Sequence, residues 1–351
     1  MPVNLLKLPS LVGVMVVTEM DHQQIFLLSI LSRRTHLLVK QAQIRAHQLT
    51  FQFDECDGYD TFQIGIVTDM MKWLPVTTVL HRNALALENV LTVKLGMDYR
   101  ADTNFDSWCE EDGRFEHRIE CANEPMSIQK AFQDHLKSIF HYSKTYQLRL
   151  SMKCKGQLPN LTNVRYILLN DDTVDPQFFT NVLTTYPNCQ LLCVLSSIVG
   201  EMPKESPFFQ VQSIIVECPC GPDYFLNFAG RNMWLKRATL THQDLIQFLQ
   251  KWISNEAYHD LEVLSIATEP TCRVNGNLIR ETIEFEEYDP NEPEKRPEHF
   301  VVDVPYIGST PTKYDLRDRS FVEIKRTTDG RRAFLRCDFL FQLYVFKNSP
   351  N

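Results

Sequence analysis

Leu240-Thr-His-Gln-Asp-Leu-Ile-Gln-Phe-Leu-Gln-Lys-Trp252, followed after seven intervening residues by Asp260-Leu-Glu-Val-Leu-Ser-Ile266, holds one helix and one strand in 27 residues. Thr241 stands where an N-cap is needed, with Asp244 three positions on in a capping-box arrangement. Leu245, Ile246, Leu249 and Trp252 then fall on one helical face. The same pairing of strand and helix recurs upstream. Strand cores centre near Leu150, Leu168, Leu192, Ile214, Ala238 and Leu264, at intervals of 18, 24, 22, 24 and 26 residues. Helical patterns at 176–186, 223–229 and 242–254 lie between them. One strand and one helix in some 20–29 residues is the length of a leucine-rich-type solenoid repeat. Because the L-x-x-L-x-L consensus is only loosely kept, a doubly wound parallel sheet is the competing arrangement.

Downstream, residues 281–298 carry eight acids against two bases together with three prolines, and read as an exposed acidic loop. Residues 317–336 carry seven bases against three acids. They read as a hairpin, Phe321–Arg326 and Ala333–Cys337 around the turn dipeptide Asp329-Gly330, with a final strand at 339–346. The acidic loop is expected to be a solvated segment neutralised by this hairpin, with recruitment of a basic partner as the sharper alternative.

Upstream, the period is two: Gln48–Phe53, Phe62–Ile66, Val90–Leu95 and Phe115–Glu120 alternate as half-buried strands, and 101–113 reads as a loop. A helix follows Pro125, with Ile128, Phe132, Leu136, Ile139 and Phe140 on one stripe. Residues 5–40 read as three short helices. Leu8-Pro9 opens the first, Asp21 with Gln24 caps the second, and Arg33–Lys40 forms the third. So short a helical group cannot bury all its apolar surface alone, and part of that surface is expected to meet a partner. Three regions result: 1–43, 44–145 and 146–351, of mixed α+β and α/β class.

The chain has 351 residues, 36 Lys and Arg against 44 Asp and Glu, and a net charge of −8. Such a balance lacks the bulk attraction of a nucleic-acid or anionic-membrane binder, so neither partner is expected. The uncharged run 176–200 has a turn at its centre (Tyr186-Pro-Asn188) and reads as helix, turn and strand rather than a membrane span. Thr18-Glu-Met-Asp21 stands where a signal-peptide cleavage site would follow, so no secretion signal is expected. The ten scattered cysteines include no C-x-x-C, so reduced core thiols, no zinc site and an intracellular setting are expected. No phosphate loop, dinucleotide fingerprint, zinc helix, nucleophile elbow or kinase signature is found. No enzymatic activity, cofactor or metal is expected.

Leu8-Pro-Ser-Leu-Val12, Met20-Asp21 and Ile25-Phe-Leu-Leu-Ser-Ile-Leu-Ser-Arg-Arg-Thr35 resemble an F-box, in the version of the F-box proteins expanded in nematodes. Leu240–Trp252, Leu261–Ile266 and the closing Glu323–Gly330 hairpin are similar to the F-box associated type 2 region of that family. This resemblance implies a substrate-recognition subunit of a Skp–cullin–F-box ubiquitin ligase, working in the cytoplasm or nucleus. Its partners would be a Skp-type adaptor, through it a cullin, and a target protein that the sequence does not name. Carried over by position, the adaptor-facing residues would be Leu8, Pro9, Leu11, Met20, Ile25, Phe26, Leu28 and Ser29, with Ile25 and Leu28 expected to serve as core as well. Leu11 stands where the general motif has an acidic residue, and Val12-Gly-Val-Met-Val-Val17 forms helix poorly, by about 1 kcal/mol for the glycine alone. The alternative to the ligase subunit is an LRR-like interaction module unconnected with ubiquitin.

Overall fold

Side-chain caps fix the first elements of the chain. The computed structural model describes residues 5–56, 59–68, 73–82, 90–95, 99–109, 115–122, 125–142, 145–152, 158–269, 272, 274–302, 312–338 and 340–346. Its contacts divide the chain into two units, Met1–Val164 and Arg165–Asn351. In the first, Pro9 leads with extended backbone into α1 (Ser10–Thr18). Asp21 caps α2 (His22–Leu31), taking the Gln24 N–H at 2.8 Å while the Gln24 side chain receives the Asp21 N–H. Ser32 and Thr35 form the same reciprocal box on α3 (Arg33–Ala42). Gln43, at φ 48°, ends α3 in the left-handed region.

A short strand β1 (Ile44–Arg45) is followed by β2 (Gln48–Cys56), β3 (Tyr59–Val67), β4 (Trp73–His81), β5 (Leu91–Leu95), β6 (Tyr99–Cys109) and β7 (Phe115–Cys121). Then come α4 (Pro125–Ile139), β8 (Phe140–His141), which pairs with β1, and β9 (Tyr146–Leu150). The main sheet of this unit has the order β9-β2-β3-β4-β7-β6-β5. Its β9–β2 and β4–β7 pairs are parallel and the rest antiparallel. Leu49, Phe51 and Phe53 of β2 are buried with Phe62, Ile64 and Ile66 of β3. The expected stripe of α4 is buried throughout, Ile128, Phe132 and Leu136 to 0% exposure.

The second unit begins with β10 (Val164–Leu169), β11 (Thr173–Val174), α5 (Pro176–Thr185), β12 (Leu191–Val194), β13 (Ser197–Ile198) and β14 (Ser213–Cys220). It continues through α6 (Asp223–Leu226), β15 (Asn232–Ala238), α7 (His242–Ile253), β16 (Val263–Thr268) and α8 (Gly276–Arg280). It closes with β17 (His299–Val302), β18 (Thr312–Asp315), β19 (Phe321–Lys325), β20 (Arg332–Cys337) and β21 (Phe341–Val345). Strands β10, β12, β14, β15 and β16 lie side by side in that order and all run parallel. The order never reverses, unlike that of a doubly wound sheet. Antiparallel β21, β20 and β19 complete the edge. Register aligns Ile167, Leu192, Ile214, Met233, Leu264, Leu343, Leu335 and Val322 in one apolar row across these strands. Phe248 of α7 meets Phe341, two residues from Leu343 and therefore on the same face. On the opposite face, Phe300 of β17 and Tyr314 of β18 stack on Tyr344 of β21, at 5.0 and 4.6 Å.

Several expectations change. Most of the supposed loop 101–113 is strand β6, with 110–113 outside the described residues. Its inward positions are Ala101 and Thr103, too small and polar to register as a hydrophobic pattern. Strand β4 escapes notice because Pro75 sits within it, at a register shift opposite Gly65. The boundary drawn at 146 falls inside the first unit, where β9 pairs with β2. One expectation holds: the acidic segment 281–298 is tied to the basic hairpin that was to neutralise it. Glu286 and Glu323 exchange both backbone hydrogen bonds at 2.8 Å, and Lys325 meets the Glu286 carboxylate at 2.6 Å. Buried Arg296 donates to the carbonyls of Glu286, Leu316 and Phe321.

Candidate functional site

The first helix is apolar all the way round. A helix of that composition belongs between two covered sides, because it has no polar face to give to water. Gly13 and Val17 face inward, and a Cβ on Gly13 would stand 3.1 Å from the Leu38 side chain, so glycine permits the close approach of α1 to α3. On the other side, Leu11 and Met15 are 72% and 60% exposed, and Val12 and Val16 are exposed beside them. These four recur at spacings of one and four and share one broad face. Leu6, Leu31 at the end of α2 and Leu37 on α3 are exposed as well. Seven of the twelve large apolar side chains left in solvent among the described residues thus lie between 6 and 37. Covering Leu11, Met15 and Leu31 would yield about 1–2 kcal/mol each, enough in sum to hold a partner when added to polar contacts. Lys7 and Glu19 are exposed at the two ends of α1, and Arg33 and Arg34 at the start of α3, so charges flank the apolar face without interrupting it.

The eight positions carried over from the resemblance divide between surface and core. Leu11 and Pro9 are exposed, and Leu8, Met20 and Leu28 are half-buried. Ile25, Phe26 and Ser29 are covered by the chain itself and present nothing to a partner. Phe26 packs against Phe132 and, edge-on, against His135 of α4, both at 6.0 Å between ring centres. The Ser29 hydroxyl lies 2.6 Å from the Phe26 carbonyl and 2.7 Å from His135 Nε2. A hydroxyl has one proton, so donation to Phe26 makes it the acceptor of an Nε2–H. Burial, and then the neighbouring His36, push the His135 imidazole down to about 3, which keeps it neutral. Ile25 thus serves as core, as expected, while the expectation of exposed Phe26 and Ser29 is corrected: α2 turns these two residues toward α4.

No family model, no curated protein and no solved structure matches this chain. What the residues display must carry the reading. Val12, Met15, Val16, Leu31 and Leu37 were not among the carried-over positions, although the uninterrupted run Leu11–Val17 contained the signal for the first three. Elsewhere, burial pushes the thiols of Cys121, Cys189, Cys220 and Cys337 up to about 12, which leaves them protonated and poor nucleophiles at neutral pH. The seven cysteines with described side chains form no disulfide. No helix among the described residues is long and apolar enough to cross a membrane.

Proposed function

We propose that this chain is the substrate-recognition subunit of a Skp–cullin–F-box ubiquitin ligase. Its first three helices would dock on a Skp-type adaptor, and its second unit would serve as an LRR-like scaffold for target capture. The observation that carries the reading is the outward face of α1, where Leu11, an adaptor contact by the F-box resemblance, stands in solvent with Met15 beside it. Further support comes from the second unit, where successive parallel strands stack in chain order with one apolar row running through them, as a solenoid requires. The role is non-covalent, needs no cofactor, and fits a reducing compartment, cytoplasm or nucleus.

Co-purification of the full chain with a Skp-type adaptor and cullin tests this. Replacing both Leu11 and Met15 with Asp should leave the melting temperature nearly unchanged, since both are surface positions, and should abolish adaptor capture. Leu8→Ala with Pro9→Ala should weaken it. Undiminished capture by the double aspartate variant would refute the assignment of the contact. A wild-type chain that ignores every cullin-linked adaptor would leave an LRR-like interaction module outside the ubiquitin system.

A further inference from the structure

The first unit contains a half-open cleft of about 480 Å3 that the adaptor face does not use. Its floor is Phe53 and Phe62, whose ring centres lie 4.9 Å apart. One wall is the α4 face bearing Lys130, Gln133, Asp134 and Lys137, and the other is the segment 159–162. The volume lies within the range of ordinary ligand sites.

Gln133 is the informative residue. It lines the cleft at 7% exposure, yet its side-chain amide makes no hydrogen bond among the described residues. An amide offers two donors and one acceptor, and with the rest of the residue covered these groups can be met only from the cleft. Donor and acceptor side by side are what a polypeptide backbone requires. The charges indicate polarity. Lys137 leans toward Asp134 at 3.8 Å and over the Tyr146 ring at 5.5 Å, whereas Lys130 is exposed and pairs with no acid among the described residues. Lys130 and Lys137 are two helical turns apart, about 10 Å along the axis, a span matched by about three residues of extended chain.

We infer that this cleft binds an extended peptide segment presenting an acidic side chain to Lys130 and an apolar side chain to the Phe53–Phe62 floor, with Gln133 pairing its backbone. The inference rests on the receptor reading only in identifying that segment as part of a target protein; the binding itself stands on the cleft.

Fluorescence anisotropy of the full chain tests it, using labelled nonapeptides with Glu and Leu two residues apart and a matched set carrying Lys for Glu. Wild type should bind the Glu set at least tenfold more tightly. Lys130→Glu should reverse that preference, and Gln133→Leu should weaken both sets alike. Equal binding of the two sets, a preference unchanged by Lys130→Glu, or no peptide bound at millimolar concentration would each overturn the inference. Adaptor co-purification of the same samples separates the two readings. Peptide preference that switches in a chain blind to adaptors removes the ligase and keeps the cleft. Retained adaptor without peptide preference does the reverse.

Discussion

Ser29 and His135 show how one polar pair can decide which side of a helix is core. Read from sequence, a serine in Phe-Leu-Leu-Ser gives no sign of direction, because its partner is 106 residues away. Once paired, it commits α2 to α4, and the consequence is measurable in acid. The folded His135 holds its proton less tightly than the unfolded chain does, so the unfolded state takes up the extra proton as pH drops. Stability should therefore be full above about pH 6.5 and decline toward pH 3, by about 2 kcal/mol at pH 5. His36, lowered by burial first and then by Lys40, acts in the same direction. Urea unfolding of wild type and His135→Gln at pH 7 and pH 5 checks this: the variant should lose most of the difference between the two pH values. Ser29→Ala should cost about 1–3 kcal/mol at neutral pH, because the buried imidazole loses the Ser29 hydroxyl.

Elements were legible where a local rule sets them and obscure where a distant neighbour does. The boxes at Asp21 and Thr241 could be read directly, and so could the α4 stripe and the Asp329-Gly330 turn, where Gly330 takes φ +68°. Strand β6 was hidden because its inner residues are small. Helix α1 was doubtful on propensity, yet it forms, since Gly13 lets Leu38 approach and the cost of a glycine is offset by packing. Gly13→Val should then destabilise α1 by pushing on Leu38, visible as faster amide exchange across residues 10–18 than in wild type. Asp21→Ala should cost about 1 kcal/mol through loss of the carboxylate that accepts the Gln24 N–H, measured by thermal unfolding. If the cap variant melts unchanged, α2 is held by its packing on α3, β4, β5 and α4 without help from the cap.

For the whole molecule, the spacing of strand cores announced the parallel array of the second unit, because repeat length is a sequence property. The pairing of β17 with β18 was not announced: the strands are four residues each and their inward aromatics, Phe300 and Tyr314, find Tyr344 only in the assembled fold. Nor could the sequence reveal the cleft beside α4, whose lining comes from three separated stretches. The antiparallel trio β19–β21 shields the last parallel strand. A chain ended after residue 316 should lose it, leave Val263, Leu264 and Ile266 along an open edge, and run as large aggregates on size-exclusion chromatography. The outermost strand has its own guard. Glu286 occupies hydrogen-bonding positions of Glu323 that another molecule's strand could otherwise take, and the Arg296 guanidinium fastens that blockade to three main-chain oxygens. A sheet so terminated resists stitching itself to a neighbour along this edge in a crowded cell, and the greatest share of exposed grease is left to the amino-terminal helices.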